Sequence, residues 1–118
     1  LMKWLVGRFK YAFEGLRYAF KDRSIAFQCF LGVLAFLAGI ILQCSMTEWL
    51  WILLSIVLVV SFEIINSCIE GLVDYISLKK DPRAKKIKDM AAAAVFLVSC
   101  FALVVALCIF VPKLLDLI

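Results

Sequence analysis

The stretch Ser61–Asp74, SFEIINSCIEGLVD, decides how the rest of the chain is read. It follows a run of apolar residues suited to a membrane, yet it carries Glu63, Asn66, Glu70 and Asp74. The four are spaced by three, four and four residues. On a helix their side chains fall within roughly an 80° stripe. The intervening Ile64, Ile65, Cys68, Ile69, Leu72 and Val73 are mostly apolar. The stretch therefore predicts a helix with a narrow acidic face and a wide apolar one.

A carboxylate in or near a bilayer is costly unless it is paired, hydrated or bound to a cation. One reading is that the acidic face looks out at water beyond the membrane. The other is a site for a divalent cation and phosphate at the membrane surface. Magnesium takes oxygen ligands from a few carboxylates and bridges to substrate phosphates. A carboxylate not engaged by the metal can serve as a general base. Composition alone does not choose between the two.

The chain has 118 residues, of which 66% are apolar, and its mean hydropathy is +1.08. Soluble domains are roughly 45–50% apolar, so an integral membrane protein is expected. The length has room for about three spans and no separate soluble domain. No cleavable signal peptide is expected, because the N-terminal stretch is amphipathic. The five cysteines, Cys29, Cys44, Cys68, Cys100 and Cys108, form no CxxC pair and read as small buried hydrophobes. There is no histidine, which excludes phosphohistidine chemistry and histidine-ligated zinc.

Residues 1–22 predict an interfacial helix. Lys3, Lys10, Glu14, Arg17 and Lys21 share one face, and Leu5, Phe9, Ala12, Phe13, Leu16 and Phe20 the other. Such a helix suits the membrane surface, or alternatively packs on the protein itself. Ser24 is the expected N-cap of the next helix. Ile25 to Thr47 is free of charge for 23 residues and predicts the first span, over 25–47. Gly32 and Gly39 offer close approach to a neighbouring helix.

A turn is expected over Gln43–Leu50, with Trp49 and Trp51 as interfacial anchors. The second helix is expected over 49–78, emerging from the membrane between Glu63 and Glu70. Lys79–Lys88, KKDPRAKKIK, reads as a polar loop turning at Asp81-Pro82. The third helix is expected over 83–114. Its span, Met90 to Pro112, is charge-free for 23 residues, and Pro112-Lys113 is expected to close it.

Six Lys/Arg fall in the N-terminal segment, six in the second loop and one, Lys113, near the C-terminus. The positive-inside rule then predicts a cytoplasmic N-terminus and an external C-terminus. It gathers Glu63, Asn66, Glu70, Asp74, Lys88 and Asp89 at one cytoplasmic interface. Basic residues there suit an anionic nucleotide, and membrane lipid headgroups account for most of them equally well. Three spans do not easily wall a polar cleft, so a homo-oligomer is expected. No nucleic-acid partner is expected.

The pattern ExxNxxIExxxD in Glu63–Asp74, with KDMAAAAV in Lys88–Val95 and GLRYAF in Gly15–Phe20, closely resembles the small bacterial diacylglycerol kinase family. The likeness runs over nearly the whole chain, as a single domain. The ending Ile109-Phe110-Val111-Pro112-Lys113-Leu114 is similar to the Gram-positive, undecaprenol kinase branch. The resemblance implies an all-α integral membrane fold: an amphipathic surface helix, three transmembrane helices and a homotrimeric bundle in the bacterial cell membrane.

It also implies transfer of the γ-phosphate of ATP, with Mg2+, to the hydroxyl of a lipid alcohol, undecaprenol or diacylglycerol. On matching positions, Glu63 would be the general base and Asn66 would position the reacting groups. Glu70 would hold the metal together with an acid after the surface helix. The family has Glu there, and the candidates here are Asp22 and, less aptly, Glu14. Tyr11, Asp22, Glu70, Lys88 and Asp89 would form the nucleotide site, and Asp74 would complete its polar face. No Walker GxxxxGK[ST] and no GxGxxG is present, so the resemblance alone makes this an ATP enzyme. Two other classes stay open on the residues themselves. One is a proton-coupled transporter using Glu63, and the other a non-catalytic membrane subunit.

Overall fold

The computed structural model describes residues 1–77 and 80–118. Four helices follow in order: α1 (Met2–Ala19), α2 (Arg23–Ile41), α3 (Met46–Ile76) and α4 (Pro82–Leu117). The last three are each long and apolar enough to cross a membrane. α3 packs most extensively on α4 and next on α2, while α2 and α4 scarcely meet. α1 has no extensive contact with the others. Most large apolar side chains face outward, as expected where the solvent is hydrocarbon.

The α1–α2 corner is held by Asp22, not by Ser24. Asp22 is the N-cap of α2, and its Oδ1 accepts hydrogen bonds from the backbone N–H of Ser24 at 2.9 Å and Ile25 at 3.5 Å. Carboxylates are as good as hydroxyls in this role, and Asp22 stands one residue ahead of Arg23, where helical geometry begins.

α2 stops at Ile41, six residues short of the expected Thr47. Gln43 adopts a left-handed backbone at φ 55°. The N–H of Gln43 reaches the carbonyl of Ile40 at 3.2 Å, and that of Cys44 reaches Gly39 at 3.1 Å. This doubled closure satisfies carbonyls that the helix end would otherwise orphan. Ser45 then caps α3, and Glu48 reaches back to the N–H of Ser45 at 2.9 Å. Glu48 and Trp49 therefore belong to α3, and the expected turn over Gln43–Leu50 is only Leu42–Ser45.

α2 and α3 run antiparallel with small residues at their crossing points. A Cβ on Gly32 would lie 3.1 Å from Ile56, and one on Gly39 would lie 2.7 Å from the Trp49 ring. Trp49 also stacks on Phe36, with centroids 5.0 Å apart. In the same register Ile25, only 2% exposed, comes level with Glu63.

The chain turns at Asp81-Pro82 as expected, and α4 begins one residue ahead of the expected 83. Pro82 is the first residue of α4, so Pro82–Lys88 forms its first two turns. Asp81 caps them, accepting from the N–H of Arg83 at 2.8 Å. The Arg83 guanidinium and backbone N–H hold the Asp81 carboxyl below its usual range. α3 ends at Ile76; its expected extension to Leu78 and the start of the loop at Lys79 fall outside the described residues. Pro112 does not close α4, which continues through it to Leu117. Proline removes one backbone donor, a defect that membrane helices accommodate.

Candidate functional site

α3 positions the site. Ile52, Ser55, Val59, Glu63 and Asn66 form its buried stripe. Ser55 is satisfied locally, donating to the carbonyl of Trp51 at 2.9 Å. Glu63 and Asn66 continue the stripe toward the charged end, at 7% and 8% exposure. Two buried polar side chains one turn apart in an apolar helix call for partners.

Asn66 has one such partner, and the charges that reach Glu63 are two further carboxylates. The Asn66 side-chain N–H donates to Glu70 Oε1 at 3.1 Å. Asn66 Oδ1 is buried and accepts no hydrogen bond from the described residues. Glu63 lies within electrostatic reach of Asp22 and Glu70. Lys88 reaches from α4 to Asp74 Oδ1 at 2.7 Å and also feels Glu70. Asp89 is engaged by Lys85, one turn earlier on α4, at 2.6 Å. Asp22, Glu63, Asn66, Glu70, Asp74 and Lys88 thus meet where α2 begins, α3 leaves the apolar layer and α4 enters it. Tyr11 is not brought in: it stands 70% exposed on α1.

The donor set is all oxygen, as a hard divalent cation requires. Among the described residues no three acidic or cysteine side chains converge as a ready cage. Such a cage is not needed by a cation that shares its shell with substrate phosphates. Glu70 is the expected ligand on α3, with the Asn66 side-chain N–H on its Oε1. Asp22 spends Oδ1 on the α2 cap, and its second oxygen has no hydrogen bond to the described residues. The residues fit magnesium held jointly with a nucleotide.

An apolar groove of about 440 Å3 runs between α2, α3 and α4. Gln28 and Ser99 are among its few polar members, and Gly32, Ala35, Ala102 and Ala106 keep it open. One end of the bundle is therefore charged and its flank is greasy. Reading along the sequence missed two features of this frame. The capping box was visible as Ser45-x-x-Glu48. The Lys85–Asp89 pair was visible as a four-residue spacing.

The profile of prokaryotic diacylglycerol kinases matches residues 10–110. The chain belongs to the prokaryotic diacylglycerol kinase family. Its similarity to individual members of that family is spread along the chain. An undecaprenol kinase of Bacillus subtilis (strain 168) is 36% identical over 93 residues, 79% of this chain and 76% of that protein. A diacylglycerol kinase of Haemophilus influenzae is 30% identical over 97 residues, 81% of this chain and 82% of that protein. A diacylglycerol kinase of Synechocystis is 33% identical over 115 residues, 96% of this chain and 66% of that protein. The matched region of the diacylglycerol kinase family contains Glu63–Asp74 and Lys88–Val95 in full.

Proposed function

We propose that this protein is a lipid kinase that moves the γ-phosphate of MgATP to the hydroxyl of undecaprenol at the cytoplasmic face of the bacterial membrane. One observation carries the reading. A buried carboxylate, Glu63, stands on α3 one turn beyond Val59 and Val60, the last α3 residues lining the apolar groove, on the side of the charged helix end. A lipid alcohol presented from the groove meets a base there, and a nucleotide presented from water meets Lys88 and the carboxylates.

Glu63 accepts the proton of the attacking hydroxyl as its oxygen bonds to the γ-phosphorus and the bond from that phosphorus to the leaving ADP breaks. An alcohol is a poor nucleophile until that proton is withdrawn, and burial keeps competing water away from it. Asn66 ties Glu70 in place and turns its free Oδ1 toward the reacting groups. Lys88 and Asp89 orient the phosphate chain, while Asp74 holds Lys88 until phosphate arrives. Magnesium, held by Glu70 with Asp22, would neutralise charge on the transferred phosphoryl group. Phosphoryl transfer depends chiefly on position and charge, so a scaffold this small suffices.

The topology follows from the charge pattern, with the N-terminus and the α3–α4 turn in the cytoplasm and the C-terminus outside. α1 lies in the interface, which its exposed Trp4, Phe9 and Phe13 support. Three protomers associate, closing the open flank of each groove and bringing Tyr11 to a nucleotide. The outward-facing apolar surface of α3 and α4 supports such association.

Diacylglycerol is the second substrate reading, favoured by the relatives that carry that name. The test is transfer from labelled ATP by purified protein in detergent with magnesium, each lipid offered separately. Faster turnover of undecaprenol is expected. Preference for diacylglycerol would replace the substrate and keep the chemistry. Transfer to neither lipid by folded protein would overturn the kinase reading.

A further inference from the structure

The turn between α3 and α4 holds a groove of about 680 Å3, lined by Asp74, Lys80, Asp81, Lys85, Lys88 and Asp89 among others. Among the described residues, three lysines there are matched by three carboxylates. Lys85 and Lys88 stand three residues apart on α4, so both project into the groove from one side. Each ends on a carboxylate: Lys85 Nζ on Asp89 Oδ2 at 2.6 Å, and Lys88 Nζ on Asp74 Oδ1 at 2.7 Å.

We propose that Lys85 is a further nucleotide-binding residue: its ammonium leaves Asp89 and takes a phosphate of the bound triphosphate beside Lys88. This rests on the kinase reading above and assigns a residue that the reading does not use.

The physical case is one of matched exchange. The Lys85–Asp89 pair is wet, with side-chain exposures of 79% and 63%. Pairs of that kind contribute little and cost little to break. The pair nonetheless keeps the ammonium at the groove wall, poised for an anion. A cation-bound triphosphate has mixed sign, as the groove has. Its phosphates meet ammonium groups while its cation meets carboxylates. Moving Lys85 onto a phosphate frees Asp89 for that second task. Lys86 provides a contrast, because it carries the same charge one position along but does not line the groove.

The experiment uses the full chain in detergent micelles with magnesium. Affinity for a fluorescent trinitrophenyl-ATP is measured beside KM for ATP, KM for the lipid and kcat. Lys85→Met is expected to weaken nucleotide binding and raise KM for ATP about five-fold, with kcat and the lipid KM held. The loss shrinks as salt is added. Lys85→Arg restores it, and Lys86→Met matches wild type. Unchanged nucleotide affinity and KM in Lys85→Met would overturn the proposal. So would a loss confined to kcat or to the lipid KM, since that reports distortion or a headgroup contact. Wild-type protein that binds no nucleotide would sink the kinase reading itself. Wild type that binds, with Lys85→Met equal to it, sinks only the role of Lys85.

Discussion

Lys113 Nζ lies 3.0 Å from Glu48 Oε1, joining the last turns of α4 to the first turn of α3. Both side chains are largely covered, at 25% and 28% exposure. Glu48 is doubly committed, because its carboxylate also closes the capping box with Ser45. Lys113 follows directly on Pro112, where the helix has lost a backbone donor. The pair therefore anchors α4 just past its weakest point.

Glu48→Gln should keep the bond to the Ser45 N–H and lose the charge. Glu48→Ala should lose both. We expect the melting temperature in detergent to fall for Gln and to fall further for Ala. Lys113→Met should match Glu48→Gln, and combining those two should add little. Additive losses in that double variant would show that the two residues act separately.

Gly39→Ala tests the interlock of α2 with α3. Its new Cβ would meet the Trp49 ring at 2.7 Å, closer than atoms tolerate. Overpacking of this kind costs about 1–3 kcal/mol. Gly15→Ala adds a Cβ into open space and is expected to be neutral or slightly stabilising. Thermal unfolding of the two variants side by side separates the specific clash from any general intolerance.

Gln43 is the converse case. A side chain at φ 55° bears strain that glycine does not. Gln43→Gly should stabilise the protein by about 1 kcal/mol. An unchanged or lowered melting temperature would mean that the Gln43 side chain makes good the strain.

Glu63→Gln separates chemistry from structure. The amide fits the same space and cannot accept the proton. Loss of a general base lowers turnover by about 10²–10⁴-fold. Melting temperature should hold or rise, since a buried charge is removed. Turnover near wild type would remove Glu63 from the role of base. Chelating divalent cations should stop transfer in wild type, with the helical signal in circular dichroism unchanged.

The spans were legible because absence of charge over some twenty residues has one physical meaning in a chain this apolar. The acidic face was legible too: Glu63, Asn66, Glu70 and Asp74 keep helical spacing, and α3 carries them all. The end of α2 was not. Apolar residues continue past Ile41, and the left-handed stop is made by glutamine, where glycine or asparagine is usual. Pro112 misled in the opposite sense, since a proline that ends a helix in water is absorbed by one in a bilayer. The start of α4 was legible inside the charged KKDPRAKKIK run, because Asp81-Pro82 marks a helix start whatever the charges that follow. Roles remained beyond reach of pattern. Spacing places Glu63 and Glu70 alike on one face, while burial and the Asn66 bond distinguish them.

α3 spans 31 residues. A helix of that length is about 46 Å long, against a hydrocarbon layer of about 30 Å. Roughly a third of it must stand clear of the oil. On the proposed reading that surplus would act as a jetty: the lipid would stay in its two-dimensional sea, and the nucleotide would not have to wade in. Where the jetty begins is set by the bilayer, not by the protein alone. A thicker membrane would drown Glu70 and Asp74, and a thinner one would strand Glu63 in water. On the proposed topology, the length of the surrounding fatty acids would then set how much of the acidic face stands in water.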